Sequence, residues 1–326
     1  MPGAGRLDFP IREVLSQELS GAGFFGFAFL SSAKVCGILK ENEADATPWA
    51  SYLGEGCGGI AAVALQYGEG IYSPPNWAQP YLGYQGAKEV HLARFCRADW
   101  YAELKDRLGV AVKATVARAA TAGIQLPAPR KWKRLANSRL PERPLAIAAG
   151  LGFQGKNNLL IAAAKNGSAK PGFSSAVVLG LLVCPEEIEL EPETAQECNP
   201  NFPGCGTCGR CISACPTGAL SPLGNKFLRE RCIQHWTSQD ESPPGDIGKA
   251  RESRLYGCDI CLEACPYFFT DALAQAKPGR LGQRLPAAYF RASEPDRIQA
   301  DLKKTALGPR WISKKSLKRF AEGLGT

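Results

Sequence analysis

Four short apolar runs mark the first half of the chain: 24–30 (FFGFAFL), 59–66 (GIAAVALQ), 158–163 and 176–183 (AVVLGLLV). Each is bounded by glycine, proline or polar clusters and predicts a buried strand, although the alanine-rich 59–66 run is equally compatible with a helix. Between them, Trp100–Ala122 carries Leu104, Leu108, Val112 and Val116 at helical spacing, with Lys and Arg elsewhere. That is an amphipathic helix, and Gly123 ends it. Strands separated by helices predict an α+β fold whose first layer domain, of α/β type, covers about residues 1–184. The Pro- and Glu-rich stretch 185–203 reads as a linker into a cysteine-rich second domain, 185–275. A basic, mostly helical tail, 276–326, completes the expected organisation.

Composition narrows the class. With 45% hydrophobic and 21% charged residues among 326, the chain can bury a sizeable core and does not read as disordered. Thirteen cysteines are too sparse for a secreted disulfide scaffold, yet eight of them fall between Cys205 and Cys265. Only two histidines, His91 and His235, are present, which disfavours a histidine-rich metal centre. No run reaches the ~18 apolar residues of a membrane span. The 24–30 run is short and follows mixed charges, so it makes a poor signal peptide. A reducing cytoplasm is therefore expected, where clustered thiols serve as metal ligands or redox groups.

The cysteine spacing is specific. Cys205-x2-Cys208-x2-Cys211-x3-Cys215-Pro216 is followed by the shorter Cys258-x2-Cys261-x3-Cys265-Pro266, with Cys232 between them. The first run has the spacing of bacterial two-cluster ferredoxins, in which three thiolates on a tight loop hold one [4Fe–4S] cubane and the fourth crosses to the other. Applied here, Cys205, Cys208, Cys211 and Cys265 hold one cluster, and Cys215, Cys232, Cys258 and Cys261 the other. Zinc ribbons use two separated Cys-x2-Cys knuckles and need no third cysteine three residues on, so the spacing favours iron–sulfur. Cys36, Cys57, Cys96, Cys184 and Cys198 lack ligand spacing and read as small buried hydrophobes, Cys198 least securely.

Charge adds one candidate surface. The net charge is +8, and residues 301–326 hold seven basic residues, among them Lys314, Lys315 and Lys318, against two acids. Such a tail fits either a polyanion such as RNA or a solvated helix face. Two nucleotide-like motifs overlap nearby: Gly150-x-Gly152-x-x-Gly155, and Gly150-x4-Gly155-Lys156 with Asn157 where a P-loop has Ser or Thr. Both motifs require a strand before and a helix after. Here Pro144–Ala149 reads as helix and Leu159–Ala163 as strand, which argues against nucleotide binding. A glycine-rich loop still permits close backbone approach to some ligand.

The segment Glu142-Arg-Pro-Leu-Ala-x3-Gly150-Leu-Gly-Phe-x-Gly155-Lys156-Asn157-x-Leu-Leu-Ile161, followed by the two-cluster cysteine pattern, resembles the epoxyqueuosine reductases. So do the strand Gly23–Leu30 and Tyr256-Gly-Cys258-Asp259-x-Cys261. The similarity runs from at least Leu19 to Leu317. The resemblance implies a cobalamin-binding α/β domain beside a ferredoxin-like double [4Fe–4S] domain. It implies removal of the epoxide oxygen from epoxyqueuosine in tRNA, with electrons from an external donor passing through the clusters to cobalt. It places Asp99, Gly150, Gly152, Gly155, Lys156 and Asn157 near the corrinoid, and the basic tail on tRNA phosphates.

Two departures matter. Where the family carries a proton-donating aspartate, this chain reads Ala136-Asn137-Ser138-Arg139, and Glu142 is the only acid between residues 107 and 185. An asparagine side chain cannot act as a general acid. The family's Asp-Tyr-His reads Asp99-Trp100-Tyr101 here. Asn137 and Tyr101 thus become the catalytic candidates of a divergent paralogue. Two rival readings follow: an electron-transfer iron–sulfur protein without its own catalytic site, and a corrinoid reductase of a small molecule.

Overall fold

The elements follow the hydrophobic pattern closely in the first half of the chain. The computed structural model describes residues 10–41, 53, 57–67, 74–82, 88–165, 172–188, 190, 202–222, 226–268 and 280–324. In order these form α1 (Ile11–Gly21), β1 (Gly26–Ser31), α2 (Ser32–Glu41), β2 (Gly59–Gln66), β3 (Glu89–Leu92), α3 (Trp100–Thr121), β4 (Lys133–Leu135) and α4 (Glu142–Ala148). There follow β5 (Gly152–Gln154), β6 (Leu160–Ala163), β7 (Phe173–Ser174), β8 (Val177–Cys184), α5 (Arg210–Ala214), α6 (Ile233–Thr237) and α7 (Gly245–Arg251). The chain closes with β9 (Arg254–Tyr256), α8 (Ile260–Glu263), β10 (Arg284–Pro286), α9 (Ala287–Ala292), α10 (Pro295–Leu302) and α11 (Lys314–Gly323).

These elements group into two compact units that interleave along the chain. The first comprises 1–66, 101–154 and 160–204; the second takes 67–100, 155–159 and 205–326. The C-terminal helices are therefore part of the second unit's core rather than a separate tail.

In the first unit a four-stranded sheet runs β1-β2-β8-β4, every neighbouring pair antiparallel. The ambiguous alanine-rich run is its central strand: β2 is buried at all eight positions, between β1 and β8. Ile60, Ala62 and Ala64 alternate onto one face and join Val35 and Leu39 of α2 and Leu145 and Ala146 of α4 in one core. Their small side chains let helices approach the sheet closely, which is why alanine serves here in place of larger strand formers. Helix α3 packs where β8 carries Gly180; a Cβ there would meet Leu104 Cδ2 at 2.3 Å. Gly123, at φ +78°, follows the end of α3 as expected. A smaller antiparallel sheet, β5-β6-β7, completes the unit.

In the second unit β3 pairs antiparallel with β10 and parallel with β9. Val90, Leu92, Leu255 and Leu285 from these strands form one core with Tyr289, Phe290, Ile298, Leu302, Leu317 and Ala321 from α9, α10 and α11. Among the described residues, no helix is long and apolar enough to cross a membrane.

Candidate metal centre

Both cysteine runs fold in the same way. Cys208 donates its backbone N–H to the Cys205 carbonyl at 2.9 Å, closing a turn that leads into α5, which carries Cys211. The helix stops at Cys215, where Pro216 cannot continue it. The second run repeats this: α8 carries Cys261 and ends before Cys265, with Pro266 beyond. Gly206 adopts φ +48° within the first loop, a left-handed conformation that favours glycine.

Several of the thiols lie close enough to one another to interact electrostatically. Cys211 feels Cys265 and Cys205. Cys232 feels Cys215, and Cys258 feels Cys232. Cys261 feels Cys258, Cys232 and Cys215 ahead of Cys211. Burial pushes the Cys258 thiol up to about 11 and raises those of Cys211, Cys232 and Cys261. Buried thiols of this kind become thiolates when a metal replaces the proton. Cys215 differs: burial raises it, but hydrogen bonds from Thr217, Ala219 and Leu220 together outweigh that and hold it below the usual thiol range.

The second cysteine loop is tied to β3. Arg94 and Asp259 join them, and a cavity of about 150 Å³ opens beside Cys258, lined by His91, Arg97, Arg254, Asp259 and Glu263 among others. Gly257 precedes this loop at φ +84°, with a Cβ position only 2.3 Å from Ala93 Cβ.

The glycine-rich segment resolves into three separate structural needs. Gly150, at φ +80°, ends α4: its N–H bonds to the Ile147 carbonyl and that of Leu151 to the Ala146 carbonyl, a Schellman motif. Gly152 lies in β5, where a Cβ would come 2.1 Å from the Ile161 carbonyl oxygen. Gly155 starts the turn between β5 and β6, its N–H donating to the Leu159 carbonyl at 2.9 Å. Helix α4 precedes the loop and strand β6 follows it, the reverse of a nucleotide-binding turn. Lys156 instead faces the first cysteine loop: its backbone N–H lies 3.4 Å from Cys205 Sγ, and its Nζ donates to the carbonyls of Gly206 (2.8 Å) and Cys208 (3.1 Å). Asn157 is 4% exposed; its Oδ1 accepts from the Leu159 N–H while its Nδ2 has no partner among the described residues.

Asn137 is exposed, at φ +50°, in the turn before α4. Its N–H and that of Ser138 both donate to the Glu142 carboxylate, at 3.3 and 2.8 Å. Burial raises the Glu142 pKa, partly offset by these bonds. In the sequence Glu142 stood out as the one acid in a long acid-free stretch and as the first residue of the Glu-Arg-Pro-Leu-Ala segment. Tyr101 is half-buried in the first turn of α3, and Asp99 in the turn before it.

The other cysteines divide. Cys57, Cys96 and Cys184 are buried, and Cys96 Sγ bonds to the Ala93 carbonyl at 3.1 Å. Cys36 is exposed on α2, correcting the expectation of a buried thiol, and Cys198 lies outside the described residues. The tail needs a further correction. Lys314 is 6% exposed, because its Nζ caps the carbonyls of Pro309 (3.0 Å) and Ile312 (2.8 Å), so it does not reach a polyanion. Lys318 pairs with Glu294, while Lys303, Lys304, Arg310 and Lys315 are exposed, as is Trp311 at 50%.

Residues 204–267 match the family model of a 4Fe-4S double cluster binding domain. The site and the match together define a double-[4Fe–4S] protein. Curated relatives similar in sequence include epoxyqueuosine reductases. That of Listeria monocytogenes is 30% identical over 212 residues, 64% of this chain and 48% of the relative; that of Lactococcus garvieae is 38% identical over 124 residues, 38% and 30% of the two chains. The chain thus spans about half, or less, of the length of these curated relatives. The epoxyqueuosine reductase of Streptococcus thermophilus superposes with a TM-score of 0.68 at 22% identity, covering 97% of this chain and 81% of that one. An epoxyqueuosine reductase bound to an epoxyqueuosine-modified tRNA-Tyr stem loop gives 0.69 at 21% identity, covering 96% and 80%. The fold is that of the epoxyqueuosine reductases.

Proposed function

We propose that this protein is a cytoplasmic, cobalamin-dependent iron–sulfur reductase of the epoxyqueuosine reductase type, acting on a nucleoside in tRNA. The cysteine spacing, together with the match of residues 204–267 to a 4Fe-4S double cluster binding domain, carries the reading. Cys205, Cys208, Cys211 and Cys265 hold one cluster, and Cys215, Cys232, Cys258 and Cys261 the other. The clusters supply a path for single electrons, and cobalamin a reducible nucleophilic metal. An external electron donor reaches the second cluster through the polar cavity beside Cys258.

Of the glycine-rich loop, Asn157 best fits a bound cofactor, since a polar group of the ligand would satisfy its buried, unpartnered Nδ2. Gly150 and Gly152 are required by the backbone with or without a ligand. Asn137 cannot give a proton, but Glu142 brings a carboxyl to the same turn, and burial favours its protonated form. We assign the acid role to Glu142 Oε rather than to Asn137 or Tyr101. Exposed Lys303, Lys304, Arg310 and Lys315 supply phosphate contacts, and Trp311 a face on which an unpaired base stacks.

The test is nucleoside analysis of tRNA from a deletion strain with and without this gene. Epoxyqueuosine that accumulates and is cleared on complementation supports the reading; unchanged epoxyqueuosine removes it. Asn137 also favours a second reading, electron transfer without catalysis. That reading requires clusters that cycle reversibly in a protein that does not bind cobalamin.

A further inference from the structure

The near-P-loop lysine does not sit in a strand-turn-helix phosphate loop, yet it is not idle. Gly155–Leu159 belongs to the same compact unit as the cysteine loops. The turn is held by the Gly155 N–H to the Leu159 carbonyl, the Asn158 N–H to the Gly155 carbonyl, and the Asn157 side chain on the Leu159 N–H. Asn158 takes φ +61°, which asparagine tolerates better than most residues. This fixed turn presents Lys156 to the Cys205–Cys208 loop through two separate groups. The backbone N–H points at Cys205 Sγ, 3.4 Å away, and the ammonium bridges the carbonyls of Gly206 and Cys208. Among the described residues the ammonium bonds to those two carbonyls and to no carboxylate. Within those residues no carboxylate cancels its charge.

We propose that Lys156 sets the reduction potential of the cluster held by Cys205, Cys208, Cys211 and Cys265. The inference rests on the cluster assignment proposed above. Reduction adds one negative charge to a cluster, so a fixed cation and an N–H donor to a ligand sulfur both favour the reduced form. The second cysteine loop instead carries a half-buried carboxyl of its own, Asp259, which accepts from the Arg94 backbone N–H. The two clusters are thereby made inequivalent by the protein around them. Lys156 acts through the cluster and its loop, as a tuning residue.

The experiment is a redox titration followed by electron paramagnetic resonance, on anaerobically reconstituted wild-type protein and on Lys156→Gln and Lys156→Arg. The glutamine variant retains the backbone N–H and loses the charge. Its expected result is about eight irons per chain, with one midpoint lowered by about 59 mV, a tenfold change in a one-electron equilibrium, and the other unmoved. Lys156→Arg is expected to stay near wild type. Unchanged midpoints in Lys156→Gln, an equal fall in both clusters, or an equal shift in the Arg and Gln variants would overturn the proposal. So would a glutamine variant that holds about four irons while the arginine variant holds eight, which makes Lys156 a loop-folding residue only. A wild type with about four irons instead defeats the two-cluster reading itself, and is distinguishable from all of these.

Discussion

Arg94 donates its backbone N–H to Asp259 Oδ2 at 2.7 Å, and its guanidinium reaches both Asp259 and Glu263. The side chains are largely buried, at 17% and 12% exposure for Arg94 and Asp259. The pair fastens the end of β3 to the loop between Cys258 and Cys261. Removing the carboxylate takes the acceptor from the Arg94 backbone N–H and leaves the guanidinium to Glu263 and the Phe268 ring. Asp259→Ala is therefore expected to cost about 2–3 kcal/mol, as for a charged hydrogen bond, read as a lower midpoint in chemical denaturation. Asp259→Asn, which keeps an acceptor, is expected to lose less.

The proposed ligand set separates Cys232 from the other cysteines outside the two runs. Cys232→Ala is expected to remove the signal of one cluster and lower the iron content. Cys96→Ala, at a buried thiol bonded to a backbone carbonyl, is expected to keep about eight irons. Iron analysis with electron paramagnetic resonance checks both variants.

The Glu142 carboxyl has its folded pKa raised by burial. The folded state therefore holds its proton to higher pH than the unfolded chain. The associated stability is fully present below the unfolded carboxyl pKa and is lost as pH rises through the folded one. Glu142→Gln is expected to remove this component, so that its melting temperature falls less than that of wild type between pH 4 and pH 7. Thermal melts across that range measure it. On the proposed acid role, the same variant lowers turnover even where it is stable.

Two lysines one residue apart are expected to behave oppositely. Lys315 is exposed, whereas Lys314 is folded onto the carbonyls of Pro309 and Ile312, and burial brings its pKa down to about 8. Lys315→Gln is expected to weaken tRNA binding uniformly and reduce the salt slope by about 1. Lys314→Gln is expected to destabilise the fold instead. Filter binding over a salt series, with melts of both variants, distinguishes the two effects.

The sequence disclosed most where the physics is local. β1, β8 and α3 lie where apolar runs and helical spacing place them, and the cysteine loops follow from spacing alone because the ligands must converge within a few residues. The alanine-rich β2 was ambiguous, since its identity as a strand comes from partners far along the chain. The joining of 67–100 to the C-terminal unit was hidden for the same reason: β3 pairs with β9 and β10, and no short-range pattern marks that pairing. Gly150, Gly152 and Gly155 were set aside as a nucleotide motif from the helix-then-strand order, but what each glycine does was hidden, because one residue type answers three unrelated backbone demands. Lys314 misled as a charge, because a lysine that caps carbonyls reads in sequence like one that faces solvent.

The pairing of β2 with β8 has a consequence for how the chain is made. Gln66 waits for Val177, and Gly59 for Cys184, so the first unit's central sheet cannot close until that much of the nascent chain has left the ribosome. At that point Cys205, the first thiol of the runs, still lies downstream. β3, by contrast, emerges early and waits for β9 and β10, which are translated on either side of Cys265. On the proposed ligand set, the last cysteine is made only after the first unit's central sheet can already form, and while the strand that backs the second cysteine loop is still acquiring its partners.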